Sequence, residues 1–85
     1  MKVYIIDWRD LCKEKTVKLP SGRAAFKVAK ICGFDESDTK DITELRIHIF
    51  PEEIELLVRY TFVRLSRKIT DKYDRILNEL KKYLL

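Results

Sequence analysis

Apolar positions in the first half of the chain fall in short alternating runs, and those in the second half recur at spacings close to a helical turn. Residues 2 to 8 (KVYIIDW) predict a strand, because Val, Tyr, Ile and Trp suit a pleated, half-buried surface. Residues 16 to 19 (TVKL) alternate, with Val17 and Leu19 on one side. Pro20, Ser21 and Gly22 are turn residues. Two readings stand beyond that turn. A hairpin would return through Ala24, Phe26 and Val28; a helix capped by Ser21 would run from Arg23 to Cys32 and place Ala25, Val28, Ala29 and Cys32 on one face. The mixed pattern places the start of this segment as strand and its end as a helical turn, with Gly33 as a left-handed stop.

Residues 35 to 41 predict a polar loop or a frayed turn. The block Arg46 to Phe62 (RIHIFPEEIELLVRYTF) carries the strongest pattern in the chain. It predicts a strand at 46 to 49 running into a helix over 51 to 68. Pro51 fits a first helical position, and Glu52, Glu53 and Glu55 favour the positive end of the helix dipole. Ile54, Leu57, Val58, Thr61 and Leu65 form a stripe, widened by Leu56, Tyr60 and Val63. A last helix over 71 to 84 follows, capped by Thr70 with Ile69 packing back as a staple. Tyr73, Ile76, Leu77, Leu80, Tyr83 and Leu84 keep its period. The predicted fold is α+β in one domain, residues 1–85: two or three short N-terminal strands, then two C-terminal helices.

Charge modifies this picture. The chain carries a net +4. Residues 35 to 44 (DESDTKDITE) hold five acids and one lysine, so the rest is strongly basic. Arg64, Arg67 and Lys68 would gather at the C-terminal end of the predicted helix 51–68. The two cysteines, Cys12 and Cys32, predict free thiols rather than a bridge. The N-terminus lacks a signal pattern, because Trp8, Arg9 and Asp10 interrupt the apolar run, and no stretch is long enough to span a bilayer. The expectation is an intracellular protein, cytoplasmic or nuclear, without a membrane role.

Chemistry is sparse. There is no Gly-rich phosphate loop, no CxxC and no HExxH. His48 is the sole histidine, opposite in strand parity to Ile47 and Ile49. One His and two distant Cys make neither a zinc set nor a nucleophile pair. The expectation is a non-enzyme with no cofactor, no metal and no catalytic residues.

Two resemblances point to function. Val28 to Phe34 (VAKICGF) is similar to the first helix and turn of helix-turn-helix and winged-helix DNA binders. The recognition helix would then be the acidic DESDTKDITEL, which opposes phosphate binding. A nucleic-acid reading therefore rests on Arg64, Arg67 and Lys68, in a regulator or a ribonucleoprotein subunit. The block 46–62 resembles the BTB/POZ superfamily, including elongin C, through Pro51, Glu52, Leu56, Leu57, Tyr60 and Phe62. Thr16 to Val28 looks like that family's opening hairpin, and Gly33 to Leu45 like its polar loop. The resemblance implies a non-catalytic protein-interaction adaptor, a subunit of a larger complex. It implies a scaffold-binding loop at Asp35, Glu36, Ser37, Asp38 and Thr39. It also implies an apolar groove between the last two helices, lined by Tyr60, Phe62, Leu77 and Leu80, for a partner helix.

Overall fold

The computed structural model describes residues 1–9, 15–18 and 22–83. The expectations for Cys12, Leu19, the Pro20–Ser21 turn and Leu84 lie outside the described residues. The chain runs β1 (Lys2–Asp7), β2 (Lys15–Lys18), α1 (Gly22–Ile31), α2 (Glu36–Thr39), β3 (Ile42–Phe50), β4 (Glu53–Tyr60), β5 (Arg64–Ile69) and α3 (Tyr73–Leu80), closing in a 3-10 turn (Lys81–Tyr83). The strands form one mixed five-stranded sheet in the order β2-β1-β3-β4-β5. Only the β1–β3 pair is parallel.

The expected pair of C-terminal helices is therefore corrected. Residues 53–69 form a β-hairpin, the fold is sheet-rich α+β, and its short helices are split between the middle and the end of the chain. Strand alternation governs 53–60: Ile54, Leu56 and Val58 are buried, with Glu55, Leu57 and Arg59 on the other side. A proline at φ near −65° fits a β-turn as well as a helix start. Here Pro51 and Glu52 make the two-residue turn between Phe50 and Glu53, and Glu52 adopts φ 65°. The strand predicted at 46–49 is longer, spanning Ile42–Phe50. It carries a bulge between Ile42 and Glu44, where the Thr43 hydroxyl donates to the Arg59 carbonyl at 2.9 Å.

The segment read two ways is a helix from Gly22 on, so the returning strand of a hairpin is absent there. Gly33 stops it at φ 96°. Gly33 N–H donates to the Lys30 carbonyl and Phe34 N–H to the Ala29 carbonyl, both at 3.0 Å, which is the Schellman arrangement. Thr70 does not begin the last helix. It starts at Tyr73, with Lys72 as the left-handed residue before it at φ 58°. Tyr73 also donates its hydroxyl to the Phe50 carbonyl at 2.8 Å, tying α3 to the end of β3.

The core lies on one face of the sheet. Val3 and Ile5 of β1, Leu45, Ile47 and Ile49 of β3, and Ile54, Leu56 and Val58 of β4 pack against Val28, Ala29 and Cys32 and against Ile76, Leu77 and Leu80. The helices thus cover one side of the sheet, and the strand residues of opposite parity form a second face.

Candidate interaction surfaces

Register lays out the second face as a grid. One row runs Lys2, Glu44, Arg59, Arg64; the next runs Tyr4, Arg46, Leu57, Ser66; the third runs Ile6, His48, Glu55, Lys68. Phe50 and Glu53 follow at the end, with Trp8 continuing β1 by donating its N–H to the Ile49 carbonyl at 2.9 Å. Arg46 lies over the Tyr4 ring at 5.1 Å and pairs with Glu44 at 3.2 Å. Small Ser66 opposite Leu57 leaves a groove of about 530 Å³, bordered by Glu44, Arg46, His48, Arg59 and Arg64.

Trp8, His48 and Phe50 are grouped with centroids 6.0 to 6.5 Å apart and planes within 7 to 14° of parallel. The Trp8 indole N–H donates to His48 Nδ1 at 2.7 Å. Such a bond lies in both ring planes, so the indole and imidazole sit edge to edge as tiles rather than face to face. Ile6 is only 4% exposed although it lies outside the main core, so this face has a small apolar patch of its own.

The β4–β5 hairpin end is a second surface. Tyr60 N–H donates to the Val63 carbonyl at 2.8 Å, which pushes Thr61 and Phe62 to the tip. Phe62 is 96% exposed, Leu65 54% and Val63 52%. Beside them a notch of about 280 Å³ is lined by Phe34, Val58, Tyr60, Leu65, Ser66 and Arg67. Among the described residues β5 is an edge strand, bonded only to β4.

The residues singled out from sequence are dispersed. Tyr60 is half-buried against the core and Phe62 stands at the tip, while Leu77 and Leu80 are core residues of α3. They do not line one groove, because 51–68 is a hairpin and no second helix faces α3 there. Asp35, Glu36, Ser37, Asp38 and Thr39 are the cap and body of α2 rather than a loop. Asp35 accepts from the Ser37 hydroxyl at 2.6 Å and from Asp38 N–H at 2.9 Å, and Asp38 accepts back from Asp35 N–H at 3.3 Å. The Ser37 bond and these backbone bonds hold the Asp35 carboxyl below its usual range. Arg64, Arg67 and Lys68 are strand residues, not a helix end. Alternation sends Arg64 and Lys68 to the open face and Arg67 to the opposite one, where its guanidinium lies near Gly33.

Tyr4, Trp8, Arg46 and Phe50 were not singled out. The signal for them was the even-numbered parity of KVYIIDW and RIHIF, complementary to the buried odd positions. Cys32 is a free, buried thiol, and burial pushes its pKa up to about 12. Among the described residues no three His, Cys, Asp or Glu side chains group as metal ligands, and no helix is long and apolar enough to cross a membrane. Comparison with family models, with curated proteins and with solved structures finds no match.

Proposed function

We propose that the protein is a non-catalytic interaction module, a subunit or adaptor that docks an extended, acidic segment of a partner protein along edge strand β5. The observation that carries this reading is the contiguous apolar end Phe62, Val63 and Leu65 beside the notch at Tyr60 and Phe34. Such exposed apolar patches mark interaction sites. An edge strand offers backbone donors and acceptors to an added strand, and the neighbouring notch takes an apolar side chain of that strand. Charge selects the occupant. Arg64, Arg67 and Lys68 lie on β5 and no acid does. A second copy of β5 would bring like charges together, which disfavours self-pairing, whereas an acidic strand complements them.

The test uses labelled extended peptides of alternating Glu and Val, with alternating Lys and Val as the control. The acidic peptide binds, its amide shift perturbations in the protein concentrate on β5, and Leu65→Asp or Arg67→Glu each weakens it by about tenfold or more. Equal binding of both peptides, or perturbations away from β5, would sink the reading.

A further inference from the structure

The face of the sheet that no helix of the described residues covers is built for a different ligand from the β5 edge. We infer that it is a platform for single-stranded nucleic acid, with bases on the Trp8–His48–Phe50 tiles and on the Arg46 guanidinium that covers Tyr4, and phosphates at Lys2, Arg59 and Arg64, the cations of the row that also holds Glu44. Three observations converge on this chemistry. The rings are near-parallel and held in place, with Trp8 fixed to His48 by its 2.7 Å hydrogen bond. A fixed aromatic plane accepts any base, because every base has a π-face. Arg46 is already stacked on Tyr4 at 5.1 Å, and a guanidinium in that position offers a second planar surface beside the rings.

Charge distribution supplies the second half of the argument. The acids of this face are opposed in register by cations or aromatics: Glu44 by Arg59, Glu55 by Lys68 and Glu53 by Phe50. Glu44 is further neutralised by Arg46 at 3.2 Å. With Glu44 paired to Arg46, the cations left in that row are Lys2, Arg59 and Arg64. Arg59 and Arg64 stand directly opposite each other on β4 and β5. Like charges so placed destabilise a sheet, and an anion between them removes that cost. The groove of about 530 Å³ joins this pair to Arg46 and His48, so a chain with its phosphates at the arginines leads toward the rings. A duplex fits poorly. Its bases are stacked on one another, and the described part of this face carries no helix to enter a major groove.

The experiment titrates the intact protein with labelled oligothymidylate and oligouridylate of about twelve nucleotides, and with a duplex of the same length. Trp8 is the sole tryptophan, so its emission reports on the platform itself. Both single strands bind and quench Trp8, and the duplex binds at least about tenfold more weakly. A difference between the two single strands that persists when oligodeoxyuridylate replaces oligothymidylate assigns the preference for DNA or RNA, because the base is then the same. Three phosphate contacts give a log–log salt slope of about −2. Phe50→Leu and Arg46→Gln, with unchanged circular dichroism, each weaken binding roughly tenfold. Phe50 lies away from the β5 edge, so Phe50→Leu leaves peptide binding there intact. Binding without a change at Trp8, or equal affinity for duplex, would overturn the inference in favour of a general polyanion surface. Self-association that buries Trp8 without oligonucleotide would assign the face to a second copy instead.

Discussion

Phe50 and Glu53 stand opposite each other as the last pair of the β3–β4 ladder, with Pro51 and Glu52 alone between them. The turn is closed by a non-glycine residue in the left-handed region, Glu52 at φ 65°. A side chain there costs about 1–2 kcal/mol, and glycine recovers most of it at some cost in unfolded-state entropy. Glu52→Gly is expected to stabilise the protein by about 1 kcal/mol, read as a higher urea midpoint at unchanged slope.

Gly33 gives the opposite sign. Its φ of 96° ends α1, and a Cβ there would meet Arg67 Nη1 at 3.8 Å, an ordinary contact. The cost of a side chain is therefore backbone strain rather than collision. Gly33→Ala is expected to destabilise by about 1–2 kcal/mol in the same denaturation assay. Arg67→Ala in that background would leave the loss unrelieved.

Leu80 and Phe62 separate packing from binding. Leu80 is wholly buried and Phe62 is almost wholly exposed. Leu80→Ala is expected to cost about 2–5 kcal/mol through lost burial and a cavity. Phe62→Ala should change stability by no more than about 0.5 kcal/mol. A large stability loss at Phe62 in calorimetry would mean that the hairpin tip is packed rather than available to a partner.

Cys32 predicts alkaline sensitivity. Its folded pKa of about 12 lies above the ordinary 9.0, because burial disfavours the thiolate. The unfolded chain therefore releases this proton first. Stability from this group is complete below pH 9 and is lost as pH rises from 9.0 toward about 12. Cys32→Ala should flatten that part of the stability profile. In the native protein at neutral pH, Cys32 should react with iodoacetamide only at the rate of unfolding.

Parts of this architecture were legible along the chain, and the reasons differ by element. β1 was legible because Val3, Tyr4, Ile5 and Ile6 are all strand formers. Gly33 was legible as a stop because little else tolerates its φ. The hairpin at 53–69 was not. Ile54, Leu56 and Val58 fit a two-residue period, while Ile54, Leu57, Val58 and Leu65 fit a helical one, and proline with glutamates at the start satisfies both. The interaction surfaces were hidden for the same reason. A helix over 51–68 would have put Tyr60, Phe62 and the three basic residues on one rod; alternation instead splits Arg64 and Lys68 from Arg67.

Sequence by itself determined the local features of this protein: which residues are apolar, where glycine and proline punctuate the chain, and which strand positions share a parity. Tertiary structure alone decided that residues 53–60 extend rather than coil, because β3 on one side and β5 on the other complete their backbone hydrogen bonds. It also decided that α1 and α3 share one side of the sheet. The β1–β3 pairing and the helix–sheet contacts join residues far apart in the chain, so their energy is absent from any local window; the β3–β4 and β4–β5 hairpins are near in sequence, but the same apolar residues also fit a helix, so the local pattern does not choose between them. The distant β1–β3 pairing brings Trp8 to His48, the β4–β5 hairpin sets Arg59 opposite Arg64, and together they create the face on which the proposed nucleic-acid contacts depend.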